Sequence, residues 1–390
     1  MDMDIHMHNT SMNGSLMPHE GDLGNGLILL VVKTAVMVAV MLSAVLGNFL
    51  VIMSVIKFEK LRATVTNYFI LSLAAADLLV AVVVMPFNAS MEITDKWIFG
   101  RTMCDIFNSN DVLFSTASIL HLCCISVDRY IAIMNPLHYE TKLTKRRVAL
   151  MIAVTWISSL LISYIPIHSQ FYTTVENLQE LRVNPDSCKF VVNRIYAVVS
   201  SSVSFWVPCT IMVFVYFRIF KEARKQEKYI RSASVCSTEL TSNGDQLIPG
   251  SKSSRDMSER KRLKREHKAA KTLGIIMGGF ILCFCPFFSW YLITSLCREK
   301  CQYPPLLGTI LFWVGYFNSC LNPIIYAYCN REFRQAFKKL LNWAHCSDLN
   351  QNSKYCARKR SNSSSNNSKN EEYVQMVYVK KECNLCGTNV

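Results

Sequence analysis

The first 26 residues contain no lysine or arginine, although they carry Asp2, Asp4, Glu20 and Asp22. A cleavable signal peptide has a basic segment ahead of its apolar core, so we expect the first apolar block to stay as an uncleaved anchor. The chain also lacks an evident pairing of a nucleophile with a base, and no metal-ligand spacing stands out. These absences argue against an enzyme, and no cofactor is expected.

Charged residues are also few. They make up 18% of the 390 residues, whereas 51% are hydrophobic and the mean hydropathy is +0.20. The hydrophobic residues form seven blocks, each long enough to cross a bilayer as a helix, and no second folded domain is visible. The predicted blocks are Leu27–Lys57, Thr64–Glu92, Gly100–Asn135, Lys145–His168, Phe190–Arg224, His267–Cys297 and Pro304–Cys329.

Basic residues mark one side of these blocks. They follow the first block from Lys57 to Arg62, precede the fourth from Lys142 to Arg147, and lead into the sixth from Arg260 to Lys271. Cytoplasmic loops of membrane proteins are enriched in lysine and arginine. We therefore predict an extracellular N-terminus and a cytoplasmic C-terminus.

Half of the net charge of +14 lies between Lys221 and Lys271, where fourteen basic residues face seven acidic ones. This concentration beside a membrane span favours a role in topology and in attraction to anionic lipid headgroups. Docking of a partner protein remains open beside that role. Nucleic-acid binding is not expected.

Four segments flank or interrupt the blocks: a tail at 1–26, a cytoplasmic loop at about 225–266, an amphipathic helix at 330–343 and a tail at 344–390. Composition predicts disorder around Ser232–Ser258 and in the final tail. Asn9 and Asn13 begin glycosylation sequons. The amphipathic helix predicts contact with membrane lipids, and Cys346 after it is a candidate palmitoylation site.

Most of the sixteen cysteines lie within blocks, where a free cysteine acts as a small hydrophobe. Cys104 and Cys188 both fall on the predicted extracellular side, where a disulfide between them would hold the second outer loop over the helices. Cys297 and Cys301 lie close together in a short loop and form a possible second pair.

Asp111 lies near the start of the third block, which reaches the charged cluster Asp128-Arg129-Tyr130 near its other end. An ionised carboxylate in a membrane span is costly and is seldom kept without a cationic partner. No Lys or Arg is evident in a neighbouring block, so we predict that Asp111 binds a cation from outside. As a helix, Asp111 to Arg129 spans about 27 Å, close to the hydrocarbon thickness, which favours reception on one face and signalling on the other.

Every block carries a motif, and the set resembles the rhodopsin-like G-protein-coupled receptors from Gly47 to Cys346. In order, the motifs are Gly47-Asn48, Leu73-Ala74-Ala75-Ala76-Asp77, Asp128-Arg129-Tyr130, Trp156, Pro208 with Tyr216, Cys283-Phe284-Cys285-Pro286, and Asn322-Pro323-Ile324-Ile325-Tyr326. The resemblance implies an all-α membrane protein with a seven-transmembrane helix bundle and a short amphipathic helix on the membrane surface. It also implies a plasma-membrane location and, as partners, a heterotrimeric G protein, receptor kinases and arrestin.

The resemblance makes Asp111 the carboxylate that binds the ammonium group of a biogenic amine, with Tyr316 as its hydrogen-bonding partner. Ser200 and Ser204 share a helical face and would bind an aromatic hydroxyl, although serines in membrane helices often bond only to their own backbone. The expected ligand is therefore a phenolic ethylamine. The other expected ligand contacts are Val112, Ser201, Phe287, Phe288 and Phe312.

Three stretches, 197–206, 220–228 and 311–319, look most like the β-adrenergic-like octopamine receptors of invertebrates. That resemblance implies coupling to the stimulatory G protein and a rise in cyclic AMP. D1-like dopamine, trace-amine, tyramine and serotonin receptors share most of these residues and remain alternatives. A cation or amine transporter is a more distant alternative, because polar spans broken by proline also occur there, but the chain shows no repeated halves.

The resemblance also assigns roles to two further groups of residues, a sodium pocket and an activation switch. Asp77, Asn48 and Asn322 form an allosteric sodium pocket with Na⁺ at Asp77, or else a structural polar network. Arg129 is held at rest by Asp128 and Glu266 and is released when the sixth span moves. The other expected switch residues are Tyr130, Tyr216, Phe284, Pro286, Pro323 and Tyr326, of which Phe284 stands where relatives usually carry Trp.

Overall fold

The structure is a computed structural model that describes residues 20–135, 138–184, 186–242, 252–297 and 304–342. Within these ranges the chain is helical, and seven helices are long and apolar enough to cross a membrane. We call them the first to seventh spans. Their bounds are Gly26–Lys57, Thr66–Thr94, Gly100–Met134, Lys145–His168, Arg194–Glu222, Gly274–Cys297 and Leu306–Cys329.

The helices themselves run beyond several of these spans. The first begins at Glu20, inside the segment predicted as a tail. Their bounds are Glu20–Lys57, Glu59–Ala63, Thr66–Leu79, Met85–Thr94, Gly100–Met134, Tyr139–Lys142, Lys145–His168, Val175–Val183, Arg194–Ser201, Val207–Ser242, Lys252–Cys297 and Pro305–Cys329, followed by a helix at 331–342.

Two spans contain a wider helical turn just before a proline. A π-helical segment covers Val80–Val84 ahead of Pro86, and another covers Ser202–Trp206 ahead of Pro208. Proline lacks an N–H group and its ring collides with the carbonyl four residues earlier, so the preceding turn widens. The second of these segments shapes the part of the fifth span that carries Ser204.

The loop predicted at 225–266 is shorter in the structure. The fifth-span helix continues to Ser242 and the sixth-span helix begins at Lys252, so the expectation of disorder around 232–258 does not fit 232–242 or 252–258. These stretches are rich in Ser, and they continue helices that have already formed, because adding a residue to an existing helix is easier than nucleating one. Residues 243–251 lie outside the described ranges.

The third span lies centrally, where it packs against the second, fourth and fifth spans. Large apolar side chains point away from the bundle on every side, for example Leu150 and Leu282, which are 65% and 76% exposed. Apolar side chains on the outside of a helix bundle suit a hydrocarbon solvent. The interior instead holds buried polar side chains from several spans, including Asn48, Asp77, Asp128 and Asn322.

The helix at 331–342 begins with a side-chain cap. Asn330 Oδ1 accepts hydrogen bonds from the backbone N–H groups of Glu332 and Phe333 at 3.0 and 3.5 Å. Phe333 is buried and stacks on Tyr326 of the seventh span with ring centroids 5.3 Å apart, so the new helix is anchored to the bundle. This is the helix expected at 330–343, while Cys346 lies outside the described residues.

The Cys104–Cys188 disulfide joins the start of the third span to the loop between the fourth and fifth spans. We call this the disulfide end of the bundle, and the opposite end the Arg129 end. The joined loop contains the helix Val175–Val183, and Trp97 N donates to Asp186 O at 2.8 Å. Cys297 is also disulfide-bonded, while Cys301, Asn9 and Asn13 lie outside the described residues.

Gly47 allows the first and seventh spans to approach closely. A Cβ atom added at Gly47 would lie 2.8 Å from Pro323 Cβ, whereas one added at Gly278 in the sixth span would meet nothing within 4 Å. The proline ring is rigid and cannot yield as a flexible side chain would. The close contact therefore requires glycine at position 47.

We predict that Gly47→Ala destabilises the bundle by about 1 to 3 kcal/mol, because an added methyl group overpacks a rigid contact. Thermal unfolding of the purified protein in detergent would register this as a lower melting temperature. Gly278→Ala is the matched control and should leave the melting temperature unchanged or raise it. Equal melting temperatures for the two variants would contradict the assigned contact.

Candidate ligand-binding site

A cavity of about 1340 Å³ opens at the disulfide end of the bundle. Its walls come from the second, third, fifth, sixth and seventh spans, and residues 186–192 of the disulfide-bonded loop cover part of it. Drug-sized pockets usually measure about 300 to 1,000 Å³, so the space exceeds that of a small ligand. The cavity contains most of the ligand contacts expected from the sequence.

Asp111 projects from the third span into this cavity. Tyr316 OH donates to Asp111 Oδ2 at 3.1 Å, and Ser115 Oγ donates to Asp111 Oδ1 at 3.5 Å. Both donors are uncharged, and Asp111 forms no salt bridge with any described residue. A carboxylate in this state is suited to receive a cation.

The expectation that no neighbouring span carries a Lys or Arg is wrong. Lys33 lies in the first span, and its Nζ donates to Glu92 Oε2 at 2.7 Å and to Glu92 O at 2.8 Å. Thr309 Oγ1 donates to both carboxylate oxygens of Glu92, at 2.9 and 3.1 Å. The span lysine therefore compensates Glu92 and leaves Asp111 without a cation.

Serine hydroxyl groups lie on the fifth-span wall. Ser200 Oγ lies 3.1 Å from Tyr291 OH, and Ser204 Oγ lies 2.8 Å from Thr116 Oγ1. Both serines line the cavity, whereas the Ser201 hydroxyl donates to the Val198 carbonyl. Successive helical residues point about 100° apart, which separates Ser201 from the face shared by the other two.

Aromatic rings fill the sixth- and seventh-span walls. Phe287 and Phe312 meet edge to face with centroids 4.9 Å apart, and Phe288 stacks on Phe205 at 4.7 Å. Val112 lines the opposite wall, one residue after Asp111. An aromatic ligand would therefore lie between apolar surfaces, with polar groups at two ends.

Phe284 lies at the floor of the cavity and is 8% exposed. Its ring centroid is 5.3 Å from Phe280 and 6.2 Å from Phe288, so it belongs to a continuous aromatic column in the sixth span. Across from it, a Cβ atom added at Gly315 would lie 3.4 Å from Phe284 Cε1. Phe284 thus connects the cavity with the packed core.

A buried polar cluster surrounds Asp77 below the cavity. Its carboxylate accepts hydrogen bonds from Ser118 at 2.7 Å, Ser319 at 3.1 Å and Asn322 at 2.8 Å. Asn48 does not bond to Asp77 directly; Asn48 Nδ2 donates to the Ser319 carbonyl at 2.9 Å, and Asn48 Oδ1 has no hydrogen-bond partner within the described ranges. Carboxylate, hydroxyl and amide oxygens are hard donors of the kind that alkali cations accept.

A second polar cluster lies at the Arg129 end. Arg129 Nε donates to Asp128 Oδ2 at 2.8 Å, and Thr66 Oγ1 and Tyr139 OH donate to the same carboxylate at 2.8 and 2.7 Å. Burial, together with the Asp128 charge, raises the pKa of Tyr139 above its ordinary value, so Tyr139 stays a neutral donor. The side chain of Glu266, the other expected partner of Arg129, lies outside the described part of the chain.

The remaining expected switch residues surround these clusters. Tyr130 packs at the edge of the main hydrophobic core, and Tyr216 lies directly against Gly274, where a Cβ atom would be 2.2 Å from the Tyr216 hydroxyl oxygen. Pro286 and Pro323 lie inside the sixth- and seventh-span helices. The sixth and seventh spans therefore each carry a possible point of bending.

The cavity wall also contains residues that the sequence did not predict as ligand contacts, among them Tyr291, Thr116, Ser115 and Asn88. The first three could have been found from helical spacing. Ser115 lies one turn after Asp111, Thr116 one turn after Val112, and Tyr291 one turn after Phe287. For Asn88 the sequence offered only a glycosylation pattern, which is irrelevant inside a span.

Comparison with known proteins gives the family. Residues 47–326 match the family described as 7 transmembrane receptor (rhodopsin family). The chain is 54% identical over 323 residues to Octopamine receptor beta-2R of Chilo suppressalis, covering 81% of this chain and 80% of that receptor. It is 48% identical over 359 residues to Octopamine receptor beta-2R of Drosophila melanogaster, covering 87% of this chain and 66% of that receptor.

A more distant relative belongs to another receptor type. The D(1)-like dopamine receptor of Takifugu rubripes is 42% identical over 315 residues, covering 77% of this chain and 67% of that receptor. The predicted seven-transmembrane helical fold and the exclusion of an enzyme are confirmed by the family match. The chain belongs to the rhodopsin family of seven-transmembrane receptors.

Proposed function

We propose that this receptor binds octopamine and signals through the stimulatory G protein to raise cyclic AMP. The observation that carries the proposal is Asp111, a cavity carboxylate with neutral hydrogen-bond donors and no salt bridge among the described residues. An ammonium group placed there gains a charge-assisted hydrogen bond. The rings of Tyr316 and Phe312 lie on the same wall and add cation–π attraction.

The other end of the cavity suits a phenol. Ser200 and Tyr291 form one hydroxyl pair, and Ser204 and Thr116 form another. A hydroxyl group both donates and accepts, so a phenol can enter either pair without leaving a donor unmatched. Phe287 and Phe288 then flank the ligand ring.

The choice among amines draws on the relatives. Two relatives at 54% and 48% identity are octopamine receptors, whereas the dopamine receptor is 42% identical. Dopamine, tyramine, trace amines and serotonin share the ammonium and aromatic groups that these anchors recognise. A D1-like dopamine receptor is the second candidate, because the two separate hydroxyl pairs on the fifth-span wall also suit a catechol.

Signal transfer is assigned to the sixth span. Phe284 touches the cavity and the aromatic column below it, and Pro286 removes a backbone hydrogen bond beside it. Ligand contact can thus bias an outward swing of the Arg129 end of this span and release Arg129 from Asp128. Arg129 and the basic cytoplasmic loop between the fifth and sixth spans then bind the G protein. Receptor kinases and arrestin act afterwards.

The Asp77 cluster is assigned to an allosteric sodium ion. Asp77, Ser118 and Ser319 would supply oxygen ligands, and the unpaired Oδ1 of Asn48 supports a role for that residue in the same cluster. The ion supplies a positive charge that compensates Asp77. Asn322 holds the carboxylate in place.

The receptor is assigned to the plasma membrane, with the disulfide end outside and the Arg129 end inside. The basic loops at the Arg129 end support this orientation. Asn9 and Asn13 are then available for glycosylation, and Cys346 for palmitoylation beside the inner leaflet.

Asp111→Asn should lower octopamine affinity by at least tenfold, because a charge-assisted hydrogen bond contributes roughly 1.5 to 3 kcal/mol. The measurement is competition binding on cells with equal surface expression, together with cyclic AMP. Asp95→Asn removes the same charge from an exposed residue of the cavity wall and should have little effect. Unchanged amine affinity in Asp111→Asn would falsify the anchor assignment.

Ser200→Ala should weaken octopamine by about tenfold and leave phenylethylamine unchanged, since only the phenol can lose a hydrogen bond. Tyr291→Phe breaks the same contact between the fifth and sixth spans but keeps the serine hydroxyl, so it separates ligand contact from helix packing. Cyclic AMP concentration–response curves for both amines provide the readout. Equal losses for both amines in Ser200→Ala would mean that the serine stabilises the helices instead.

Phe284→Trp should change basal cyclic AMP more than ligand affinity. The larger indole enters a packed column, where overpacking costs about 1 to 3 kcal/mol and shifts a two-state equilibrium severalfold. Leu282→Trp, which faces outward on the same helix, is the control. If basal and maximal signalling of Phe284→Trp both match the parent, Phe284 is a passive core residue.

A further inference from the structure

The cavity has a polar wall that the proposed contacts leave unused. Asn88 and Glu92 lie one helical turn apart in the second span, and both line the cavity together with Asp111 and Tyr316. Met85, three residues before Asn88, and Ala89, directly after it, belong to the same buried cluster as Tyr316. Asn88 therefore lies on the helical face directed at the third and seventh spans.

Asn88 is 4% exposed, and its Oδ1 is buried without a hydrogen-bond partner among the described residues. Buried polar atoms in native proteins nearly always have a partner, so each exception calls for an explanation. A half-turn of the amide exchanges its oxygen and nitrogen, so the side chain can present an acceptor or a donor to the cavity. The simplest explanation is a partner that arrives with the ligand.

Glu92 cannot supply this contact in its present state. Its carboxylate accepts hydrogen bonds from Lys33 and from Thr309, which compensates its charge and occupies both oxygens. In the proposed function, Asp111 already binds the ammonium group of the ligand. Asn88 is left as a polar side chain on this wall whose amide oxygen has no hydrogen-bond partner in the described part of the chain.

We infer that Asn88 binds the side-chain hydroxyl group of a phenylethanolamine and so distinguishes it from the corresponding phenylethylamine. This inference rests on the proposed function, since it assumes that Asp111 holds the ammonium group and the fifth-span serines face the phenol. The hydroxyl-bearing carbon is then two bonds from the nitrogen. Its hydroxyl group lies at the Asp111 end of the ligand, which Asn88 and Tyr316 share.

The hydroxyl-bearing carbon is a stereocentre, and this gives a sharp test. The two enantiomers of octopamine have identical solvation and identical intrinsic conformational energies in water, so a difference in potency reports a fixed partner in the site. A polar group on one wall can meet the hydroxyl of only one enantiomer while both anchors are engaged. Asn88 should therefore set the enantiomer ratio as well as the preference for octopamine over tyramine.

The experiment measures cyclic AMP for both enantiomers of octopamine and for tyramine, on the parent receptor and on Asn88→Ala. The parent should prefer one enantiomer. In Asn88→Ala the preferred enantiomer should lose about tenfold in potency, while the other enantiomer and tyramine stay within about twofold. The three potencies should then converge.

Matched variants keep the test decisive. The leucine side chain of Asn88→Leu is about as large as asparagine or larger, so this variant controls for a harmful void left by Asn88→Ala. Neither substitution breaks a hydrogen bond of Asn88 Oδ1 with a described residue. Ser109→Ala deletes another buried, unpaired polar atom that does not line the cavity, and it should leave all three potencies unchanged. Tyramine potency and surface expression report folding in every variant.

The results that overturn the proposed function differ from those that overturn only the role of Asn88. A parent receptor that responds to no amine overturns the proposed function and this inference together. A parent that responds equally to both enantiomers and to tyramine overturns only the role of Asn88. The same holds if all three potencies fall in parallel, or if Ser115→Ala rather than Asn88→Ala abolishes the enantiomer ratio.

Discussion

A carboxylate inside a bilayer must be compensated, and the polar interior of this receptor follows from that constraint. Asp77 accepts three neutral hydrogen bonds, and Asp128 is paired with Arg129 and two hydroxyl groups. Glu92 has Lys33 and Thr309. Among the described residues Asp111 has only Tyr316 and Ser115 as hydrogen-bond donors, and it lies in an open cavity. The least compensated of these acids therefore lies where a small cation can reach it.

The same constraint links the two ends of the molecule. Charged groups cannot move freely through hydrocarbon, so a change at Asp111 must reach Arg129 through packed side chains. The sixth span offers such a route, because the aromatic column from Phe288 to Phe280 connects the cavity floor with the core. Proline in this helix lowers the resistance to bending at the level of the cavity.

The disulfide-bonded loop has a complementary role. It places residues 186–192 over part of the cavity. Burial raises the pKa of the loop residue Tyr172, which keeps this tyrosine a neutral partner of Arg101. The loop thus restricts the entrance with a fixed backbone and neutral aromatic groups.

Long apolar runs made the seven spans readable from sequence, because a segment that crosses lipid must be apolar over its whole length. Their ends were less certain. The fifth and sixth helices continue into a segment whose polar composition predicted disorder, because an existing helix can extend into residues that would not nucleate one. Asp111, Tyr316, Ser200 and Ser204 were predicted as ligand contacts from the sequence, and the structure places them in the cavity wall.

Pairing across helices could not be read in the same way. Lys33 was overlooked although it stands in the first span, and its contact with Glu92 joins residues that are 59 positions apart. Tyr291 contacts Ser200, which lies 91 positions away in the chain. Asn88 drew attention because its Oδ1 has no hydrogen-bond partner among the described residues. The sequence by itself determined which segments cross the membrane and which polar residues they carry, because lipid constrains each segment separately. Only the tertiary structure decided which polar groups satisfy one another and which are left for a ligand, because that depends on the rotation and packing of helices far apart in the chain.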